Sequence, residues 1–307
     1  MGKKTLYDKD LLLDAVKQNG NELEYASEKL RNDKEVVLAA VKQKGYVLQY
    51  ASKELKGDKE VVLTAVTQNA VAIQYASKEL KSDKEVIMAV VKQNANALKY
   101  ASEELRRNKD FILDAVKQNG FSLYFASYIL KNDRDFVLSA VEQTGSALEY
   151  VSDELRNDKE VVLAAVKQNG YALEYASEEL KSDKEVVLAA VTQKCFALEY
   201  APEELRNDRE IAFIAINQNY NALEYVSEEL KGDRDFILSA VKQDGNSLYY
   251  ASEELKNDNE VVQTACDQNP ESVNFAGKEL IIKRLKAKRE AELASKTELA
   301  SAEELNK

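Results

Sequence analysis

An aromatic residue returns every 25 positions along this chain: Tyr25, Tyr50, Tyr75, Tyr100, Phe125, Tyr150, Tyr175, Tyr200, Tyr225, Tyr250 and Phe275, with no insertion or deletion between them. That period constrains the fold more than any local motif does. Self-similarity at about 20 to 50 residues is the signature of a stacked array, in which each unit buries its apolar surface only against its neighbours. The chain is therefore expected to form a single domain despite its length. The boundaries read as a leader at 1–7, eleven repeats over 8–282, and a polar C-terminal helix or cap at 283–307.

Within a repeat, Asp33 follows the turn residue Asn32 and precedes "KEVVLAAVKQ", with Glu35 in the first turn and Lys42 in the last. Asp is a good N-cap, and both charges suit the helix dipole. The run "VVLAAV" also fits a buried strand, so the polar positions decide. Asp10, Asp14 and Lys17, and again Asp110, Asp114 and Lys117, fall at i, i+4, i+7, which is a helical stripe. The helix is expected to end at Gly20, Gly45, Gly120, Gly145, Gly170 and Gly245 through a left-handed glycine. A second, shorter helix follows, roughly Ala172 to Ala176, burying Leu173 and Tyr175 or Ala176. Pro202 stands where other repeats carry Ser, which marks that place as a helix start, since proline tolerates a first turn and not an interior. The "SEEL" segment then reads as a serine-capped turn closed by a leucine such as Leu180. The fold class is all-α: an α-solenoid of 25-residue repeats, each a long helix, a short helix and a tight turn. With helices packed about 8–10 Å apart, it should extend on the order of 100 Å.

"DKEVVLAAVKQNGYALEYASEEL", Asp158 to Leu180, resembles the repeat of the family catalogued as domain of unknown function 4116, over nearly all of residues 8–280. The resemblance implies short helical tandem repeats, found in bacteria, protists and large viruses, with no common activity. Some related proteins of intracellular bacteria look like secreted effectors, which implies a host cytosol as an alternative location. The chain departs from the family pattern in its fifth repeat and in its last, where Asn259, Gln263, Pro270 and Gly277 appear.

The inventory argues against catalysis. There is no His, the adjacent Glu178 and Glu179 diverge around a helix, and no phosphate loop occurs. "NDRD" at Asn132 to Asp135 lacks the ligand series of a calcium loop. No cofactor or metal is expected, Cys195 and Cys266 being too few for a zinc site or a disulfide framework. The net charge is −11; a net +2 at 1–7 and again at 281–307 leaves −15 between them, which repels nucleic acid. No apolar run is long enough to span a bilayer, so no membrane insertion is expected. A reducing, cytoplasmic setting fits the cysteine usage.

Two ladders run through every repeat. Gln18, Gln43 and their nine successors to Gln268 read either as a row of amides gripping a peptide or as partners for helix-end groups, and the second reading is preferred. The aromatic ladder reads as core rather than as a base-stacking track. Specificity is expected where repeats differ. The position after the glycine reads Asn21, Tyr46, Val71, Asn96, Phe121, Ser146, Tyr171, Phe196, Asn221, Asn246 and Glu271, and three residues later Tyr124 and Tyr249 interrupt a mostly Glu or Gln series. In the fifth repeat Tyr128 and Ile129 also replace charges. The expected partner-binding set is Phe121, Tyr124, Tyr128 and Ile129, with Tyr46, Tyr171, Phe196 and Tyr249, for a protein or peptide partner or a second copy of the chain. The alternative is a fifth repeat that packs differently on its neighbour, with Phe136 filling a gap. In the tail, Ile281, Ile282 and Leu285 are placed to cover the end of the stack, and Lys283, Arg284, Lys286, Lys288 and Arg289 form a basic cluster that could serve as a nuclear or membrane address.

Overall fold

The computed structural model describes residues 8–283, 285–287 and 289–292. The leader at 1–7, Arg284, Lys288 and the tail beyond 292 lie outside the described residues. The chain divides into two compact units after Ser177. Both are helical, and no strand occurs among the described residues.

One repeat serves for the rest. Asp33 caps the ten-residue α-helix Lys34–Gln43 by accepting from the Val36 N–H. The helix stops because Lys44 turns extended (φ −146°, ψ 105°). A six-residue 3₁₀ helix, Gly45–Tyr50, follows. Ser52 then accepts from the Leu55 N–H and starts the one-turn α-helix Lys53–Lys56. The next helix, Lys59–Gln68, begins the cycle again. Within each unit neighbouring long helices pack on one another and bury Val36, Val37, Ala40 and Val41 or most of their equivalents, and Leu48 or its equivalent fills the layer beneath in all but the last repeat.

Four expectations are corrected. No glycine among the described residues has positive φ. A Cβ on Gly45 would lie 2.1 Å from the Ala65 carbonyl oxygen, and one on Gly145 would lie 2.3 Å from that of Ala165. Those glycines are chosen for the close approach of the next repeat's helix, not for a left-handed turn. The second helix is 3₁₀, Gly170–Tyr175, rather than α over 172–176. With three residues per turn, Gly170, Leu173 and Ala176 line its buried edge, so Tyr175 is turned to the side. The aromatic ladder is consequently half-buried throughout, and the leucine or isoleucine two residues earlier occupies the core in every repeat but the last, where Val273 is exposed. In the tail, Leu280 is buried and Ile281 half-buried, but Ile282 and Leu285 are exposed: they lie past the point where the helix leaves the last repeat.

Candidate protein-binding surface

The 3₁₀ geometry brings the two variable positions together. Residues three apart eclipse in such a helix, so Phe121 and Tyr124, Asn246 and Tyr249, or Tyr171 and Glu174 share one outward edge. Successive 3₁₀ helices pack side by side, from Gly20–Tyr25 to Gly170–Tyr175 in the first unit and from Cys195–Tyr200 to Pro270–Phe275 in the second. The outward edges therefore form a surface along each unit. Tyr46 reaches along it, its hydroxyl donating to Asn21 Oδ1 at 2.6 Å.

The fifth repeat concentrates aromatic area on that edge. The Phe121 and Tyr124 rings stack at 5.4 Å and 7°, and both meet Phe125 and Tyr150 edge-on. Tyr124 remains 54% exposed. Tyr128 and Ile129 are 78% and 64% exposed and stand on the one-turn helix Tyr128–Lys131. The expected set is thus divided. Six members lie on 3₁₀ edges, with Phe121 and Phe196 half-buried rather than exposed, while Tyr128 and Ile129 occupy the adjoining short helix. Phe136 is buried in the core and fills its helix layer as Phe236 does in the second unit. Phe196 leans on Tyr225, and Tyr249 packs against Tyr250 and Phe275.

Polar groups around the edge are largely spoken for. Lys131 donates to the Tyr124 carbonyl at 3.1 Å, and its Nζ sits 5.5 Å from the Tyr124 ring centroid; burial lowers its pKa. Burial, then the Glu149 carboxylate, raises the pKa of the Tyr150 hydroxyl, and burial with Glu149 and Glu174 does the same for Tyr175. The glutamine ladder supports the stack where its bonds are seen. Gln168 accepts from the Gly145 N–H at 2.6 Å and donates to the Gln143 carbonyl, Gln268 repeats this on Gly245 and Gln243, and Gln218 donates to the Val191 carbonyl. Each reaches back to the preceding repeat.

A third ladder escaped the sequence reading. The cation at the first helical position of one repeat bonds the capping aspartate 24 residues on: Lys34 meets Asp58 and Glu60, both at 2.8 Å, and Arg134 meets Asp158 at 2.7 Å and Glu160 at 2.5 Å. Lys184 with Asp208 and Arg234 with Asp258 continue it in the second unit. Asp58 thus caps its own helix with Oδ1 and takes the neighbour's cation with Oδ2, while Arg134 reaches both oxygens of Asp158. Burial would raise the pKa of Asp58, but Lys34 and the Val61 and Glu60 N–H groups hold it below the usual value. The fixed 24- and 26-residue spacing of cation and acid was the available signal.

Neither cysteine is in a disulfide; Cys195 is buried and Cys266 half-buried. No described helix is long and apolar enough to cross a membrane. No curated protein and no solved structure gives a significant match to the chain. The family model described as Domain of unknown function (DUF4116) matches at residues 8–56, 58–106, 108–156, 133–181, 183–231 and 233–281. Each match spans two of the 25-residue periods, and the fourth begins 25 residues into the third, so the family pattern reads this chain from either phase of the pair. With matches covering almost all of residues 8–281, the chain belongs to the DUF4116 family of tandem helical repeats.

Proposed function

We propose that the chain is a non-catalytic scaffold, an α-solenoid of eleven 25-residue repeats that binds a protein or peptide partner through the outward 3₁₀ edges and the short helix of its fifth repeat. The observation carrying this reading is the exposure of Tyr124, Tyr128 and Ile129, three apolar groups in one repeat at positions where the other repeats carry mostly charges. Clustered apolar area of that kind marks interaction sites. A second copy of the chain is the alternative occupant. The competing reading, a spacer whose length is its function, draws support from the regular ion-pair and glutamine ladders. The acidic body argues against nucleic acid as ligand, and a cytoplasm, or a host cytosol, is the setting proposed.

The test is a variant carrying Tyr124→Glu, Tyr128→Glu and Ile129→Glu, followed by co-purification, sedimentation and thermal melting. Exposed positions contribute little to folding. The expected result is a melt close to wild type with loss of a co-purifying partner or of self-association. A control variant in the sixth repeat, Ser146→Glu with Asp153→Lys, should keep the association. If the triple variant retains every association of the wild type, the scaffold reading fails and the spacer stands.

A further inference from the structure

Two repeats five periods apart, one in each unit, carry a similar aromatic arrangement, except that Asn246 stands where Phe121 stacks on Tyr124. "SLYFAS" (Ser122 to Ser127) and "SLYYAS" (Ser247 to Ser252) each bury a serine whose hydroxyl donates to a helix carbonyl, Ser122 to Ala115 and Ser247 to Ala240. Each leaves its tyrosine about half exposed, Tyr124 at 54% and Tyr249 at 55%. The ring frames agree closely. Tyr124 meets Phe125 at 5.0 Å and 85° and Tyr150 at 6.0 Å and 81°; Tyr249 meets Tyr250 at 4.8 Å and 88° and Phe275 at 5.4 Å and 77°.

The two sites differ in what lies over the ring. In the fifth repeat the ammonium of Lys131 sits 5.5 Å from the Tyr124 centroid, within cation–π range. Its equivalent in the second unit, Lys256, is drawn instead to Glu253 at 3.0 Å. Glu253 stands where the fifth repeat has Tyr128, which offers Lys131 no carboxylate. Beside Tyr249 there is a cavity of about 570 Å³, whose lining includes Tyr249, Phe275, the acids Glu253 and Glu279 and the lysines Lys256 and Lys278.

We propose that this cavity takes a basic side chain, arginine or lysine, of a partner protein, placed over the Tyr249 ring as the chain's own Lys131 is placed over Tyr124. The ring quadrupole attracts the cation. The chain's net charge of −11 favours the approach of a basic segment. Lys256 is paired with Glu253, and the two acids on the wall, Glu253 and Glu279, balance the two lysines, Lys256 and Lys278. This rests on the scaffold reading and deepens it by giving the chemistry of a partner and a site outside the fifth repeat.

The probe is a fluorescein-labelled peptide, Gly-Arg-Gly-Arg-Gly, and its citrulline analogue, titrated with the full chain and followed by anisotropy. The arginine peptide should bind at one site and the citrulline peptide far more weakly. Tyr249→Ala should lower affinity about five- to thirty-fold, the range expected for a cation–π contact, while Tyr249→Phe retains binding because the ring is kept. Lys131→Gln should uncover Tyr124 and raise the stoichiometry from one to two, the second site being removed by Tyr124→Ala. Melting curves accompany each variant, and if Tyr249→Ala has lost its transition, the Lys131→Gln stoichiometry decides. Equal binding of the citrulline peptide, no saturable binding, a folded Tyr249→Ala chain with wild-type affinity, or an unchanged stoichiometry in Lys131→Gln overturns the proposal. Any of these would leave the triple-glutamate test of the fifth repeat unaffected, since that test reads loss of a co-purifying partner or of self-association and not binding of this peptide.

Discussion

Replacing Pro202 by serine should strengthen the second unit at one joint. In every neighbouring repeat the residue at this place donates its N–H to a carbonyl of the preceding short helix: Ser102 to Lys81, Ser127 to Arg106, Ser227 to Arg206 and Ser252 to Lys231, at 2.8–3.1 Å. Proline has no N–H, so Pro202 cannot donate to the Lys181 carbonyl. It also has no oxygen to cap its helix, whereas Ser227 accepts from the Leu230 N–H at 3.2 Å. Leu205 is half-buried, although most of its equivalents are buried. A restored backbone bond is worth about 0.5–1.5 kcal/mol and a serine cap about 1 kcal/mol. Against these stands the lost rigidity of proline in the unfolded chain, about 0.4–1 kcal/mol. The balance is about 1 kcal/mol in favour of Pro202→Ser, or roughly fivefold in a local opening equilibrium. Native-state hydrogen exchange reads this directly, because repeat arrays open locally rather than all at once. The Leu205 and Arg206 amides should exchange about fivefold more slowly in the variant. Unchanged or faster exchange at those amides would refute the assignment of this residue as a missing stitch between repeats.

Gln168→Ala should leave the buried Gly145 N–H without its acceptor and cost about 1–3 kcal/mol, seen as faster exchange of the Gly145 amide and a lower melting temperature; an unchanged melt would make the glutamine ladder ornamental to stability. The ion-pair ladder predicts an acid transition. Asp33, Asp58, Asp83, Asp158, Asp208 and Asp258 are held below their ordinary pKa in the folded chain, against the effect of burial, by the neighbouring cation and by backbone N–H groups. A folded value below the unfolded one of about 3.9 means the stabilisation is complete above that pH and is lost as pH falls through the folded values. Melting temperature followed by circular dichroism should therefore be nearly level from about pH 7 to 5 and drop below about pH 4, and a level profile down to about pH 2 would contradict it.

The sequence by itself determined the period, the helical class, the capping aspartates and serines and the family, because each depends on residues close in the chain or on their exact recurrence. Asp33 caps Val36 and Ser52 caps Leu55 within three residues, and such bonds are legible from spacing alone. The choice of 3₁₀ over α for Gly170–Tyr175 was not legible: it turns on how six residues settle against the next repeat, and both helices bury Leu173 and Ala176. That choice then moved the tyrosines out of the core and aligned Phe121 with Tyr124. The glycines were misread for a related reason, since the contact that requires Gly45 comes from Ala65, twenty residues ahead. Likewise Lys34 and Asp58 acquire meaning only when two repeats stack, and the cavity beside Tyr249 takes its far wall from residues 274–279 of the next repeat. Tertiary structure decided these matters because each is a contact between groups whose separation along the chain says nothing of their distance until the repeats are packed.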